Sequence, residues 1–187
     1  VAGQPLVVTC ALSGISGNGA DPDLRIYRPG SYFEDGLDDL YNRGGADINN
    51  TMDIGISNRN IATQANFTFS CSATLAGNPY VLDGLVFADA ETTNEGEFIR
   101  TTLPAGATMR VIERNRGAGC TTGYNVNLTG ATYQFTTLPP YECFPLDPNS
   151  MGVYFIDNAS SATISFGSQV GLQSVAVGVI LSVADYG

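Results

Sequence analysis

The sequence has no lysine, no histidine and no tryptophan. Each absence removes a class of chemistry. Without histidine, neither a Ser-His-Asp triad nor a Cys-His pair can form within the chain. His-ligated zinc, copper and non-haem iron sites go with it. Without lysine there is no Schiff-base nucleophile, no P-loop lysine and no Lys–Asn isopeptide crosslink. No catalytic residue is assigned, and the chain is not expected to be an enzyme.

Helical periodicity is also scarce. No segment holds a 3.6-residue period for three turns. One short helix is expected near 35–43, with Asp35 as N-cap, Leu37, Leu40 and Tyr41 on one side, and Gly44-Gly45 as its stop. No apolar run reaches the ~18 residues that span a bilayer, so direct membrane insertion is not expected. The longest apolar stretch, Val175 to Leu181, is interrupted by Gly178 and reads as a buried strand.

Positive charge is sparse. All eight basic residues are arginines, set against 18 carboxylates, for a net charge of −10. Such a balance argues against nucleic acid and anionic membranes as partners, because binding a phosphate backbone needs neutralising cations. The chain is 187 residues long with 43% hydrophobic and 14% charged residues, a globular composition sized for a single domain over 1–187. It begins directly in an apolar–polar run, as a mature or excised piece would.

Four cysteines, Cys10, Cys71, Cys120 and Cys143, are well separated and form no C-x-x-C pair. An even number in a Ser/Thr/Asn/Gly-rich acidic chain points to two disulfides formed in an oxidising compartment. Three connectivities are open. Cys10–Cys71 with Cys120–Cys143 is preferred, because the second pair closes a short, turn-rich excursion. Four reduced, buried thiols are the competing reading.

What the chain does have is alternation with a period of two. From Asn66 to Leu75, Phe67, Phe69, Cys71, Ala73 and Leu75 point one way and Thr68, Ser70, Ser72 and Thr74 the other, as in a half-buried strand. Ala131–Thr137 repeats the pattern, and Thr108–Arg114 sets Arg110 and Arg114 opposite Met109 and Val111. Further strands are expected at 6–12, 24–27, 52–57, 81–87, 97–103, 153–156, 162–166 and 172–183. About eleven short strands separated by Gly, Pro, Asn and Asp turns predict an all-β, lectin-like or jelly-roll antiparallel sandwich. Asn18-Gly19 carries a tight-turn signal.

Acidic residues gather in the presumed loops. Asp21 and Asp23 precede a strand, Glu34, Asp35, Asp38 and Asp39 surround the short helix, and Asp89 and Glu91 follow Gly84–Phe87. Oxygen-rich loops of this kind can bind calcium, with Asp21, Asp23, Asp89 and Glu91 as candidate ligands. No EF-hand-type loop is present, and solvated acids partly paired with Arg are the plainer reading. Beyond that Ca²⁺ ion no cofactor is expected. Asp89 and Glu91 would share a strand face and could form a glycosidase's acid pair. Among eighteen acids such a pair carries little weight.

Half of the arginines, Arg100, Arg110, Arg114 and Arg116, lie within 100–116. They suit a site for an acidic glycan or carboxylate. The competing reading is that they neutralise neighbouring loop acids. Tyrosines beside Asp and Asn make a lining for sugar or protein, and Tyr32, Phe33 and Tyr41 occupy the least strand-like region. The candidate ligand-binding set is therefore Tyr32, Asp35, Asp38, Tyr41, Asp89, Glu91, Arg114 and Tyr124. Phe67, Phe69, Phe87 and Phe135 are assigned to the core. N-x-[ST] sequons at Asn49, Asn66, Asn127 and Asn158 bear only on a eukaryotic secretory pathway.

Five segments together resemble a known family: Asp53–Asn58, Asn66–Leu75, Gly84–Glu91, Arg110–Arg114 and the closing Ala184-Asp185-Tyr186-Gly187. Over most of its length the chain is similar to the non-repetitive, ligand-binding domain of CshA-type fibrillar adhesins of bacteria. The resemblance implies an extracellular lectin-like sandwich on the bacterial cell surface, carried within a longer fibrillar chain. It also implies attachment to host glycoproteins such as fibronectin, to other cells, or to surface glycans. A calcium-assisted carbohydrate-binding module of a secreted enzyme and a ligand-free fibre domain are the alternatives.

Overall fold

A computed structural model describes residues 3–18, 24–27, 55–58, 63–89, 97–114, 124–137, 152–168 and 173–182. They form thirteen strands: β1 (Leu6–Asn18), β2 (Leu24–Tyr27), β3 (Gly55–Asn58), β4 (Thr63–Leu75), β5 (Asn78–Tyr80), β6 (Gly84–Asp89), β7 (Phe98–Thr102), β8 (Thr108–Arg114), β9 (Tyr124–Thr129), β10 (Thr132–Thr137), β11 (Gly152–Asp157), β12 (Ser161–Ser168) and β13 (Gln173–Ile180). Every pairing is antiparallel. Sheet A runs β1-β4-β12-β7-β10-β9 with β5 beside β4, and sheet B runs β2-β3-β13-β6-β11-β8. No helix occurs among the described residues, and the helix expected near 35–43 lies outside them.

The two sheets pack as a sandwich because alternation gives each strand one apolar face. In β4, Ala65, Phe67, Phe69, Cys71 and Ala73 are all buried, while the residues between them are half-buried or exposed. Sheet B answers with Leu85, Phe87, Tyr154, Ile156 and Val175. Phe69 meets Phe87 across the interface edge-to-face with ring centroids 6.0 Å apart, and Phe87 stacks on Tyr154 at 5.6 Å. Such pairs contribute about 0.5–1.5 kcal/mol beyond their buried area. Gly84 opens β6 where a Cβ would come within 2.2 Å of the Ile156 carbonyl oxygen, so only glycine lets β6 and β11 close there.

Three departures from the expected strands have local causes. β1 runs on to Asn18 because Gly14, at φ +59°, allows a register shift between Ser13 and Ser16 after which pairing with β4 resumes. Asn18-Gly19 is not the turn of a hairpin: β1 and β2 lie in different sheets. A second shift, where β8 meets β11 between Val153 and Tyr154, breaks the strict alternation expected from Arg110 to Arg114. β5 and β9 add to the eleven expected strands.

Cys10 and Cys71 face each other across β1 and β4 and form a disulfide, as expected, with Cα atoms 4.1 Å apart. The Cys71 amide donates to the Ser160 carbonyl at 2.8 Å, away from β1. The cysteines therefore occupy a non-hydrogen-bonded pair, where antiparallel Cα atoms come closest. Cys120 and Cys143 lie outside the described residues. The bridge ties the edge strand to the strand that carries most of the core. With a sequence separation of 61, chain entropy assigns it a stabilisation of up to ~4 kcal/mol. Replacing Cys10 and Cys71 together by Ala should lower urea-unfolding stability by about 2–4 kcal/mol. A loss below about 0.5 kcal/mol would show that the bridge is incidental to the fold.

Candidate functional site

The outer face of sheet A follows from the same alternation that fills the core. Strand pairing sets Ser16, Asn66, Ser165, Arg100, Gln134 and Asn127 in one row across six strands. The adjacent row is Ser13, Thr68, Thr163, Thr102, Thr132 and Thr129. Hydroxyls pair between strands: Thr68 with Thr163 and Thr102 with Thr132 at 3.2 Å, and Ser70 with Ser161 at 2.8 Å. Ser165 donates to Asn66 Oδ1 at 2.7 Å. None of the seven strands of sheet A contains an aspartate or glutamate, in a chain that has 18 of them.

A groove of about 790 Å³ crosses this face, lined by Arg100, Thr102, Asn127, Thr132, Gln134 and Ser165 among others. Its lining is amide and hydroxyl around one cation, with Leu128 the one apolar side chain. Gln134 Oε1 accepts from Arg100 Nε at 3.0 Å and from Nη2 at 2.8 Å. The guanidinium lies 4.9 Å over the Phe98 ring. Both contacts hold it in place. Arg110 differs: its Nε and Nη2 donate to the two carboxylate oxygens of Asp157 at 2.5 and 2.8 Å, and it covers the Phe155 ring at 4.6 Å. That pair holds the Asp157 carboxyl below its ordinary range through the Arg110 hydrogen bonds. Arg110 thus neutralises a neighbouring acid, whereas Arg100 is fixed by a neutral amide. The two also lie on different sheets, so Arg100 and Arg110 do not form one cluster.

A family model, surface adhesin CshA non-repetitive domain 2, matches residues 1–181. The chain belongs to this family. Membership places the domain on the bacterial cell surface, within a longer surface protein, and implies adhesion. No curated protein and no solved structure matches the chain.

Of the residues this adhesin domain was expected to use, Asp89, Arg114 and Tyr124 fall within described strands. They are brought to one end of the sandwich, where β6 and β8 finish and β9 begins. Asn58 and Thr63 mark the same end: Asn58 Nδ2 donates to Thr63 Oγ1 at 2.8 Å, joining the sheets. Tyr32, Asp35, Asp38, Tyr41, Glu91, Asp21 and Asp23 lie outside the described residues. Tyr27 and Gly55, the described residues on either side of the segment that carries Tyr32 to Tyr41, pair with each other, and Gly55 is level with Ala176 and Ala88, one residue from Asp89. The calcium candidates are represented only by Asp89. Among the described residues no group of three or more His, Cys, Asp or Glu could hold a metal ion. Asp89 is no loop acid: it is the last residue of β6 and 0% exposed.

Asp89 belongs to a polar layer inside this end, together with Glu97, Thr101, Tyr154 and Gln173, all buried. Neither amide atom of Gln173 meets a hydrogen-bond partner. Burial raises the Tyr154 phenol well above its ordinary 10.0, and the charge of Asp89 reinforces the rise.

The sign of the resulting pH dependence is fixed. Below pH 10 the phenol is neutral in folded and unfolded chains alike, and its full contribution is present. Above that, the unfolded chain releases a proton that the folded chain keeps, and stability falls as pH rises, by up to ~1.4 kcal/mol per pH unit. Urea titrations between pH 10 and 11.5 should show Tyr154→Phe losing stability less steeply than the parent, by close to one proton. Parallel slopes would contradict a buried neutral phenol.

Proposed function

We propose that this domain is a non-catalytic adhesion module that holds a glycan or glycoprotein of another surface against the outer face of sheet A. The observation that carries the reading is the acid-free polar face in a chain of net charge −10. Ser, Thr, Asn and Gln side chains each offer both donors and acceptors, as sugar hydroxyls do, so a rigid field of them matches a saccharide without a metal or a catalytic group. Keeping carboxylates off the face also removes repulsion from a partner surface, since glycoproteins and cells are themselves commonly anionic. The cross-strand hydroxyl pairs fix the side chains before binding, which limits the entropy lost on contact.

Placing a charge on the face tests this. Beads carrying Thr102→Asp or Asn127→Asp domains should adhere to fibronectin- or mucin-coated surfaces about tenfold less than parent beads. Val81→Asp, at an 85% exposed position off the face, should adhere like the parent. Equal adhesion by all four would place the ligand elsewhere.

A further inference from the structure

We infer that the groove on sheet A takes a sugar bearing a carboxylate, and that Arg100 is the residue that receives it. The inference rests on the face described above as the binding surface and names the chemistry of its ligand.

Arg100 keeps donors that no described residue uses. A guanidinium carries five N–H groups in a planar fork. Two of them go to Gln134 Oε1, one from Nε and one from Nη2. Three remain, and they include one N–H on each Nη, the end-on edge that meets a carboxylate in two parallel bonds. Gln134 and the Phe98 ring hold the plane, so that edge is oriented before any ligand arrives. Arg100 meets no carboxylate among the described residues, and none of the seven described strands of its sheet carries one. Arg110, with Asp157, shows what a neutralised arginine looks like in this same fold.

The surroundings specify the rest of the ligand. Ser165 and Gln134 flank Arg100 in its own row, and Thr102 and Thr132 stand in the next. One cation among hydroxyls and amides fits one carboxylate on a body rich in hydroxyls. A heavily sulfated or phosphorylated polymer is a poor match. It would bring many charges to a single arginine on a protein of net charge −10. Terminal sialic acids and uronic acids both present the required group, and the probes below separate them.

Titration by isothermal calorimetry uses 3′-sialyllactose against lactose, and tri-galacturonic acid against its methyl ester. At least one acid should bind about tenfold or more tightly than its neutral counterpart, the difference expected for a charged, bidentate contact. Gln134→Glu keeps the shape of the groove and sets a carboxylate beside Arg100. It should erase the preference for the acid while the thermal unfolding midpoint stays close to the parent's. Arg100→Lys should lose most of the preference despite keeping the charge, because the planar fork is gone.

If acid and neutral probes bind alike and both are lost in Thr102→Asp, the carboxylate is wrong and the face stands. If an acid is preferred but neither Gln134→Glu nor Thr102→Asp alters its binding, the face itself is wrong. If no acidic probe binds at millimolar concentration, the inference fails.

Discussion

The structure depends on one constraint: successive residues of a strand point to opposite faces. Phe67, Phe69 and Ala65 can enter the core only if Asn66, Thr68 and Ser70 leave it. Three sheet A strands, β4, β7 and β12, hold to this rule, and pairing aligns the outward residues of the sheet into rows. The inward side is settled by aromatic contact, Phe69 on Phe87 between the sheets and Phe87 on Tyr154 within sheet B. A register slip of one residue would exchange the two faces, burying Arg100 and exposing Ile99, and the core excludes that arrangement. The packing that stabilises the domain therefore also fixes the position of every group on the polar face.

Charge is distributed just as unevenly. Carboxylates occur at β6, β8 and β11 of sheet B and in the connections, but on no strand of sheet A. For a surface adhesin domain this separation has a plain use. Net negative charge keeps the protein soluble and discourages nonspecific contact, while one face stays open to an approaching surface. The disulfide strengthens the same sheet, since Cys10–Cys71 ties its outermost long strand to its neighbour.

The fold was largely legible in the sequence because alternation is a local signal. The core assignments of Phe67, Phe69 and Phe87 follow from it, while the Cys10–Cys71 bridge was chosen among three connectivities from cysteine spacing. The polar face of sheet A was not legible as a candidate site, although its residues were in plain view. Thr68, Ser70 and Thr132 read simply as the outward side of strands. Their significance comes from strand order, which joins residues 66, 165, 100, 134 and 127 into one row, and no spacing along the chain encodes that order. The acids drew attention instead because they cluster in sequence. Asp89 illustrates the error: it follows an apolar run like a loop residue, yet β6 includes it and the sandwich encloses it. The arginines show the same effect, with Arg100 and Arg110 ten positions apart but on opposite sheets.

Backbone NMR of the ¹⁵N-labelled domain, titrated with the acidic saccharide that binds best, tests the central claim most directly. Amide shifts should concentrate at Arg100, Thr102, Asn127, Thr132, Gln134 and Ser165, on four strands adjacent in sheet A that come from three separate stretches of the sequence. Shifts concentrated instead at Asp89, Arg114 and Tyr124, with that row silent, would contradict it.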